Sequence, residues 1–141
     1  MDLNAYLTAS GAYPDRATHK ELTPELKANA STLLEKVEGL FKDLGLDLNK
    51  YNVSSGFRPS NVNSAIKNAA KKSLHQLCKA IDIVDDKLQT LAKLIESRPD
   101  LLKKHGLWLE SPKATIGKNT NWVHLDDSTS RTDRPSRVFN P

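Results

Sequence analysis

Histidine is the side chain best suited to hold a transition metal or move a proton near neutral pH, and this chain contains four. One of them, His75, is followed seven residues later by Asp82, and another, His124, lies inside the apolar segment Trp122-Val123-His124-Leu125-Asp126. Two imidazoles and one carboxylate form a donor set for zinc that leaves the fourth tetrahedral position open for water, as a hydrolytic site requires. An ion held in this way lowers the pKa of that water to about 7 and polarises a scissile carbonyl. Spacing alone leaves a plainer reading open for each residue. His75 also fits a solvated histidine after a lysine-rich helix, Asp82 a strand-end or capping carboxylate, and His124 a satisfied core histidine. An unpaired aspartate among Ala80, Ile81, Ile83 and Val84 is costly to bury, however, so a cation partner accounts for it better.

The surrounding residues sharpen the choice. In chain order they run Ser55-Gly56-Phe57-Arg58, then Ser73-Leu74-His75-Gln76-Leu77-Cys78-Lys79-Ala80-Ile81-Asp82, then Trp122-Val123-His124. This order resembles the M15 zinc peptidases, the D,D-carboxypeptidases and phage endolysin peptidases. Their pattern is Ser-Gly-Tyr/Phe-Arg, Ser-x-His-x-x-Gly-x-Ala-x-Asp and a late Trp-Val-His. The resemblance covers about residues 51–139, and Asn63 with Gly106-Leu107-Trp108 fits the smaller phage-borne branch. It implies zinc as cofactor, with His75, Asp82 and His124 as ligands. It also implies that Arg58 binds the substrate carbonyl or its oxyanion, where a fixed guanidinium stabilises developing charge. Ser73 would touch the substrate backbone, and Asn121 and Trp122 join it as candidate substrate-binding residues. The implied substrate is the peptide of bacterial peptidoglycan, cut at a D-amino-acid bond or at L-Ala-D-Glu.

Two positions depart from the family pattern. Cys78 replaces the glycine between the first histidine and the aspartate; it is a further potential ligand or, as a small apolar residue, a packing element. Asn121 stands three residues before His124, where family members often place a carboxylate as general base, and an amide cannot take a proton from water. Glu110, ending the strand expected to pair with that of His124, is the candidate substitute through cross-strand proximity to Asn121 and the metal. Asp126 and Asp127 are the next candidates, with Asp126 also able to orient the His124 ring as a hydrogen-bond partner.

The elements that must position these residues follow from pattern. Residues 1–22 lack a period and read as an extended N-terminal arm, leaving 23–141 as a single metallopeptidase domain. Thr23-Pro24-Glu25 is a helix start, and Leu26, Ala30, Leu33, Leu34, Val37, Leu40, Phe41 and Leu44 recur at helical spacing up to Gly45. A short strand is expected within Tyr51–Phe57 and a second helix from Pro59, with Val62, Ala65, Ile66 and Ala69 on one face. Ala80–Val84 reads as a strand, and Asp85 or Asp86 as the cap of a third helix carrying Leu88, Leu91, Leu94 and Ile95. Strands at Leu107–Glu110 and Trp122–Asp126, with a short one at Val138-Phe139, complete an α+β fold. The expected architecture is a small antiparallel sheet packed with three main helices, the arrangement of the Hedgehog and D,D-peptidase group.

Composition bounds the function without choosing it. With 141 residues, 38% hydrophobic and 27% charged, the chain suits one core. Its apolar runs are too short to cross a membrane. The single cysteine excludes an internal disulfide. The net charge of +4 favours anionic partners, but the lysines are scattered, with only Lys67, Lys71 and Lys72 clustered. A nucleic-acid role rests on charge alone and is not expected. The N-terminus lacks a basic flank and an apolar stretch of the signal-peptide kind. The expectation is synthesis in a host cytoplasm and action on the cell wall, as an endolysin or in a virion beside other phage structural proteins. A non-catalytic wall-binding or virion protein on the same scaffold is the alternative, motivated by Asn121 and Cys78.

Overall fold

The computed structural model describes residues 1–9, 18–60 and 73–141. The expected second helix from Pro59, Asn63 and the Lys67, Lys71, Lys72 cluster fall mainly or wholly outside them. Four α-helices are described: α1 (Leu3–Leu7), α2 (Pro24–Asp43), α3 (Thr90–Glu96) and α4 (Pro99–Lys104). The strands are β1 (Val53–Ser55), β2 (Ala80–Asp85), β3 (Trp108–Glu110), β4 (Asn121–Asp126) and β5 (Val138–Phe139). They form one sheet in the order β1-β2-β4-β3-β5. The fold is α+β, but the sheet is mixed rather than antiparallel, because β5 returns alongside β3 in parallel. No described helix is long and apolar enough to cross a membrane.

Strand alternation divides the molecule into two faces. On β2, Ile81 and Ile83 point one way, and on β4 Val123 and Leu125 do the same. These four join Ala30, Leu33, Leu34, Val37, Leu40 and Phe41 of α2 in a single buried cluster, so the long helix covers this face. Thr23 caps α2 by accepting from the Leu26 amide at 3.2 Å, and Gly45 closes it at φ +74°. The opposite residues, Asp82 and Val84 of β2 with Trp122, His124 and Asp126 of β4, share the other face.

Two local departures from the sequence expectation have clear causes. The third helix starts at Thr90, not near Leu88, because both aspartates are consumed in capping. Asp85 accepts from the amides of Leu91 and Ala92 at 3.0 and 2.9 Å, and Asp86 from Leu88 and Thr90 at 3.0 and 2.9 Å. Leu88 is left in the preceding turn and is exposed.

Residues 3–7 are also not an extended arm. Asp2 caps a single helical turn, and Tyr6 is fully buried, its hydroxyl donating to the Ala80 carbonyl at 2.8 Å. A helix this short shows no period in sequence; tertiary burial of Tyr6 and Leu7 holds it in place.

That docking explains Gly56. A Cβ built there would lie 2.0 Å from the Tyr6 carbonyl oxygen, so any side chain must push α1 away from the motif strand. Gly56→Ala is expected to destabilise the protein by about 1–3 kcal/mol, the usual range for overpacking. It should also weaken metal binding, because the Gly56 carbonyl holds the His75 ring. Chemical denaturation with a parallel zinc titration would check both effects.

Candidate metal centre

His75 is placed by a tightly closed turn. Ser73 begins a 3-10 turn over Leu74–Leu77, with Ser73 Oγ accepting from the His75 amide at 3.2 Å and the Ser73 amide donating to Gln76 Oε1 at 3.1 Å. The turn ends at Cys78, whose φ of +56° is left-handed, a conformation that glycine adopts without cost. This is a physical reason for the glycine expected at that position. The Cys78 side chain packs in the hydrophobic core, where burial pushes its thiol up to about 12. It stands outside the group of residues able to share an ion. Ser73, expected at the substrate, is buried, and its hydroxyl oxygen accepts this capping hydrogen bond.

The register of the sheet does the rest. Ser55 pairs with Asp82, and Asp82 pairs with His124. On the far side of β4, Trp108 pairs with Asp126 and Leu109 with Leu125, and continuing one residue sets Glu110 beside His124. Glu110 in turn pairs with Phe139. One row across all five strands therefore reads Ser55, Asp82, His124, Glu110, Phe139. Glu110 comes to the site through His124, and not through Asn121 as cross-strand reasoning from sequence suggested.

Within that row the donors converge. Ligand atoms of His75, Asp82 and His124 all lie within 4.8 Å of one another. Asp82 Oδ2 is 3.3 Å from His75 Nε2, and Asp82 Oδ1 is 2.8 Å from His124 Nδ1. The remaining ring nitrogens are tied down elsewhere: His75 Nδ1 lies 2.8 Å from the Gly56 carbonyl, and His124 Nε2 lies 3.0 Å from Asp126 Oδ2. Each imidazole thus has one anchored nitrogen and one turned toward the shared carboxylate, the arrangement that fixes histidine metal ligands.

Electrostatics are consistent with a cation site. Burial opposes charge on Asp82, yet the charges and hydrogen bonds of His75 and His124 hold its carboxyl well below the usual range. For His124 too burial opposes charge, but hydrogen bonds to Asp126 and Asp82 outweigh it and raise the imidazole to about 10. Burial pushes His75 down, toward the neutral form that ligates. Two imidazoles and a carboxylate, buried and converged, fit zinc in type and number.

Arg58 borders the cluster. Its Nε donates to Ser55 Oγ at 2.8 Å and its Nη2 to Asp82 Oδ2 at 3.1 Å, while its own amide donates to the His75 carbonyl at 3.1 Å. Glu110 is half-buried; burial raises its carboxyl above the ordinary value, and the charges of His124 and Asp82 both reach it. No described residue donates a hydrogen bond to that carboxylate. Trp122 shares the site face two residues before His124 and is half-buried.

Asn121 does not join the cluster. Its strand position puts it on the opposite face from His124. Its Nδ2 donates to the carbonyl of Asp86 at 3.1 Å, while its Oδ1 accepts from the Gly117 amide at 3.2 Å. It ties two loops together. Asn121→Asp is therefore expected to leave peptide hydrolysis within about threefold of wild type while costing about 0.5–1.5 kcal/mol of stability through the lost donor. Paired rate and denaturation measurements check this; a large gain in rate would return the base to position 121.

The fold and this cluster together define an α+β protein with a His-Asp-His group that could hold a metal ion, on the sheet face opposite α2. The chain belongs to the M15 peptidase family: the family model described as Peptidase M15 matches residues 14–126. It is therefore a peptidase, of a family whose members are typically zinc-dependent. No curated protein and no solved structure matches the chain.

Sequence reasoning overlooked Arg131. Its guanidinium grips Asp126, with Nη1 on Oδ1 and Nη2 at 2.9 Å from Oδ2, and lies 3.5 Å from the centre of the Phe139 ring. Arg131 sits in a polar tail without period, so pattern gave no signal. Asp126 was visible as the residue two positions beyond His124 on the same strand face.

Proposed function

We propose that the protein is a zinc peptidase that hydrolyses stem or cross-bridge peptides of bacterial peptidoglycan. The observation that carries this reading is the convergence of His75, Asp82 and His124 in one cross-strand row with Glu110, bordered by Arg58. Zinc held by the three ligands would polarise the scissile carbonyl and make water a nucleophile near neutral pH. Glu110, its basicity increased by burial, accepts a proton from the attacking water and passes it to the leaving amine. Arg58 supplies a fixed positive charge for the oxyanion. The products are a new carboxylate and a new amine. Trp122, half-buried on the same sheet face, is a candidate contact for the peptide.

The motif order supports placing this activity in a phage lysin, either released into the host cell late in infection or carried in the virion. The D,D-carboxypeptidase and L-Ala-D-Glu endopeptidase specificities are the two that the motif resemblance implies. Neither Asn121 nor Cys78 favours a non-catalytic wall binder, since one faces away from the ligands and the other is buried in the core. Purified protein is expected to lyse outer-membrane-permeabilised cells, to stop after chelation and to resume when zinc is returned. Lysis that persists in fully metal-free protein would refute the reading.

A further inference from the structure

We propose that Arg131 is a positioning residue for the metal centre, clamping Asp126 so that His124 presents Nδ1, and not Nε2, to the ion. The inference rests on the metal centre proposed above and extends it to a residue of the tail.

Its basis is a continuous chain of contacts. His124 Nδ1 points at Asp82 Oδ1 at 2.8 Å, while Nε2 is 3.0 Å from Asp126 Oδ2. Ring rotation would have to break the second contact to exchange the nitrogens. Asp126 is fully buried. Both its oxygens are engaged by the guanidinium fork of Arg131, and Oδ1 also accepts from the Ser128 amide at 3.3 Å. The two-point geometry fixes the plane of the carboxylate as well as its position.

Arg131 is itself held by aromatic rings: its guanidinium centre lies 3.5 Å from the Phe139 centroid and 5.6 Å from that of Trp108. The Phe139 ring meets the His124 ring edge-on at 5.8 Å, so one aromatic residue buttresses both ends of the chain. Arg131 is bound to Asp126 and stacked on rings, which fits support of the ligand and not contact with substrate.

The test uses zinc alone, with no wall substrate. Isothermal titration with zinc should show Arg131→Gln binding at least about 10-fold more weakly than wild type, the lower end of the 10–100-fold range for loss of a ligand's own hydrogen-bond partner, which here is Asp126. Arg131→Lys should recover only part of the loss, because one ammonium cannot reproduce the fork. Histidine nitrogen shifts of the zinc-loaded wild type should show the metal on His124 Nδ1 and a slowly exchanging proton on Nε2. Wild-type zinc affinity in a folded Arg131→Gln variant, or zinc on Nε2, would overturn the proposal. If Arg131→Gln does not fold, the lysine variant and the wild-type nitrogen shifts decide. A protein that binds zinc in this way yet cleaves no wall would support the clamp and overturn the proposed function.

Discussion

Replacing Asp82 by asparagine is expected to remove stoichiometric zinc binding and reduce peptide hydrolysis to background, the largest single effect in the molecule. Asp82 is the hub of the site. One oxygen faces His75 and Arg58, the other faces His124, and its backbone pairs with Ser55 on one side and His124 on the other. Asparagine keeps the shape but removes the charge that an ion, Arg58 and a protonated His124 all require. Breaking a buried ion pair from one side typically costs about 3–5 kcal/mol, so the variant should also be measurably less stable without metal. The pH dependence has a definite sign. A carboxyl held below its usual value stabilises the fold above about pH 3.9, and that contribution fades as pH falls further. The asparagine variant should therefore lose the part of acid sensitivity that Asp82 supplies. Zinc content by mass spectrometry and acid-range denaturation would check the two halves, and an asparagine variant that keeps bound zinc and activity would remove Asp82 from the ligand set.

Glu110→Gln should give the second largest effect, a fall in kcat of about 10²–10⁴-fold, the range for loss of a general base. Glu110 has no part in the ligand set, so zinc binding should be unchanged. Its carboxyl is raised by burial, which places the acid limb of the wild-type pH profile above the ordinary glutamate value of 4.5. Activity is expected to appear as pH rises through that limb, because the base must be unprotonated, and the limb should vanish in the glutamine variant. A loss below tenfold, with the limb retained, would move the base to another residue.

These expectations show which parts of the site were legible in sequence. The convergence of His75, Asp82 and His124, with Arg58 at its border, was readable because metal chemistry restricts residue types and because the motifs occur in order. The strands at Ala80–Val84, Leu107–Glu110 and Trp122–Asp126 and the helix from Pro24 were readable from periodicity. Position 121 lies away from the cluster because, within one strand, an odd offset of three places Asn121 on the face opposite His124, whereas the cross-strand register sets Glu110 beside it. Ser73 has a role that its place before His75 did not reveal: its hydroxyl accepts from the His75 amide and so caps the turn that aims the ring. The N-terminal helix and Arg131 were invisible for a shared reason. Tyr6 and Arg131 act through contacts with residues distant in the chain or through stacking on rings, and neither leaves a local period.

His105 shows the reverse case, a histidine with a plain structural role. Its Nε2 lies 2.7 Å from Asp43 Oδ2 and joins the end of α4 to α2.

The most direct measurement is mass spectrometry of muropeptides from purified peptidoglycan digested by metal-free protein, before and after one equivalent of zinc is restored. New carboxyl and amino termini at a stem or cross-bridge peptide bond should appear only with zinc, and should be absent with His75→Ala at any zinc level. Unchanged muropeptides from the zinc-restored protein, or equal cleavage by the metal-free protein, would contradict the assignment of His75, Asp82 and His124 as the centre of a zinc peptidase.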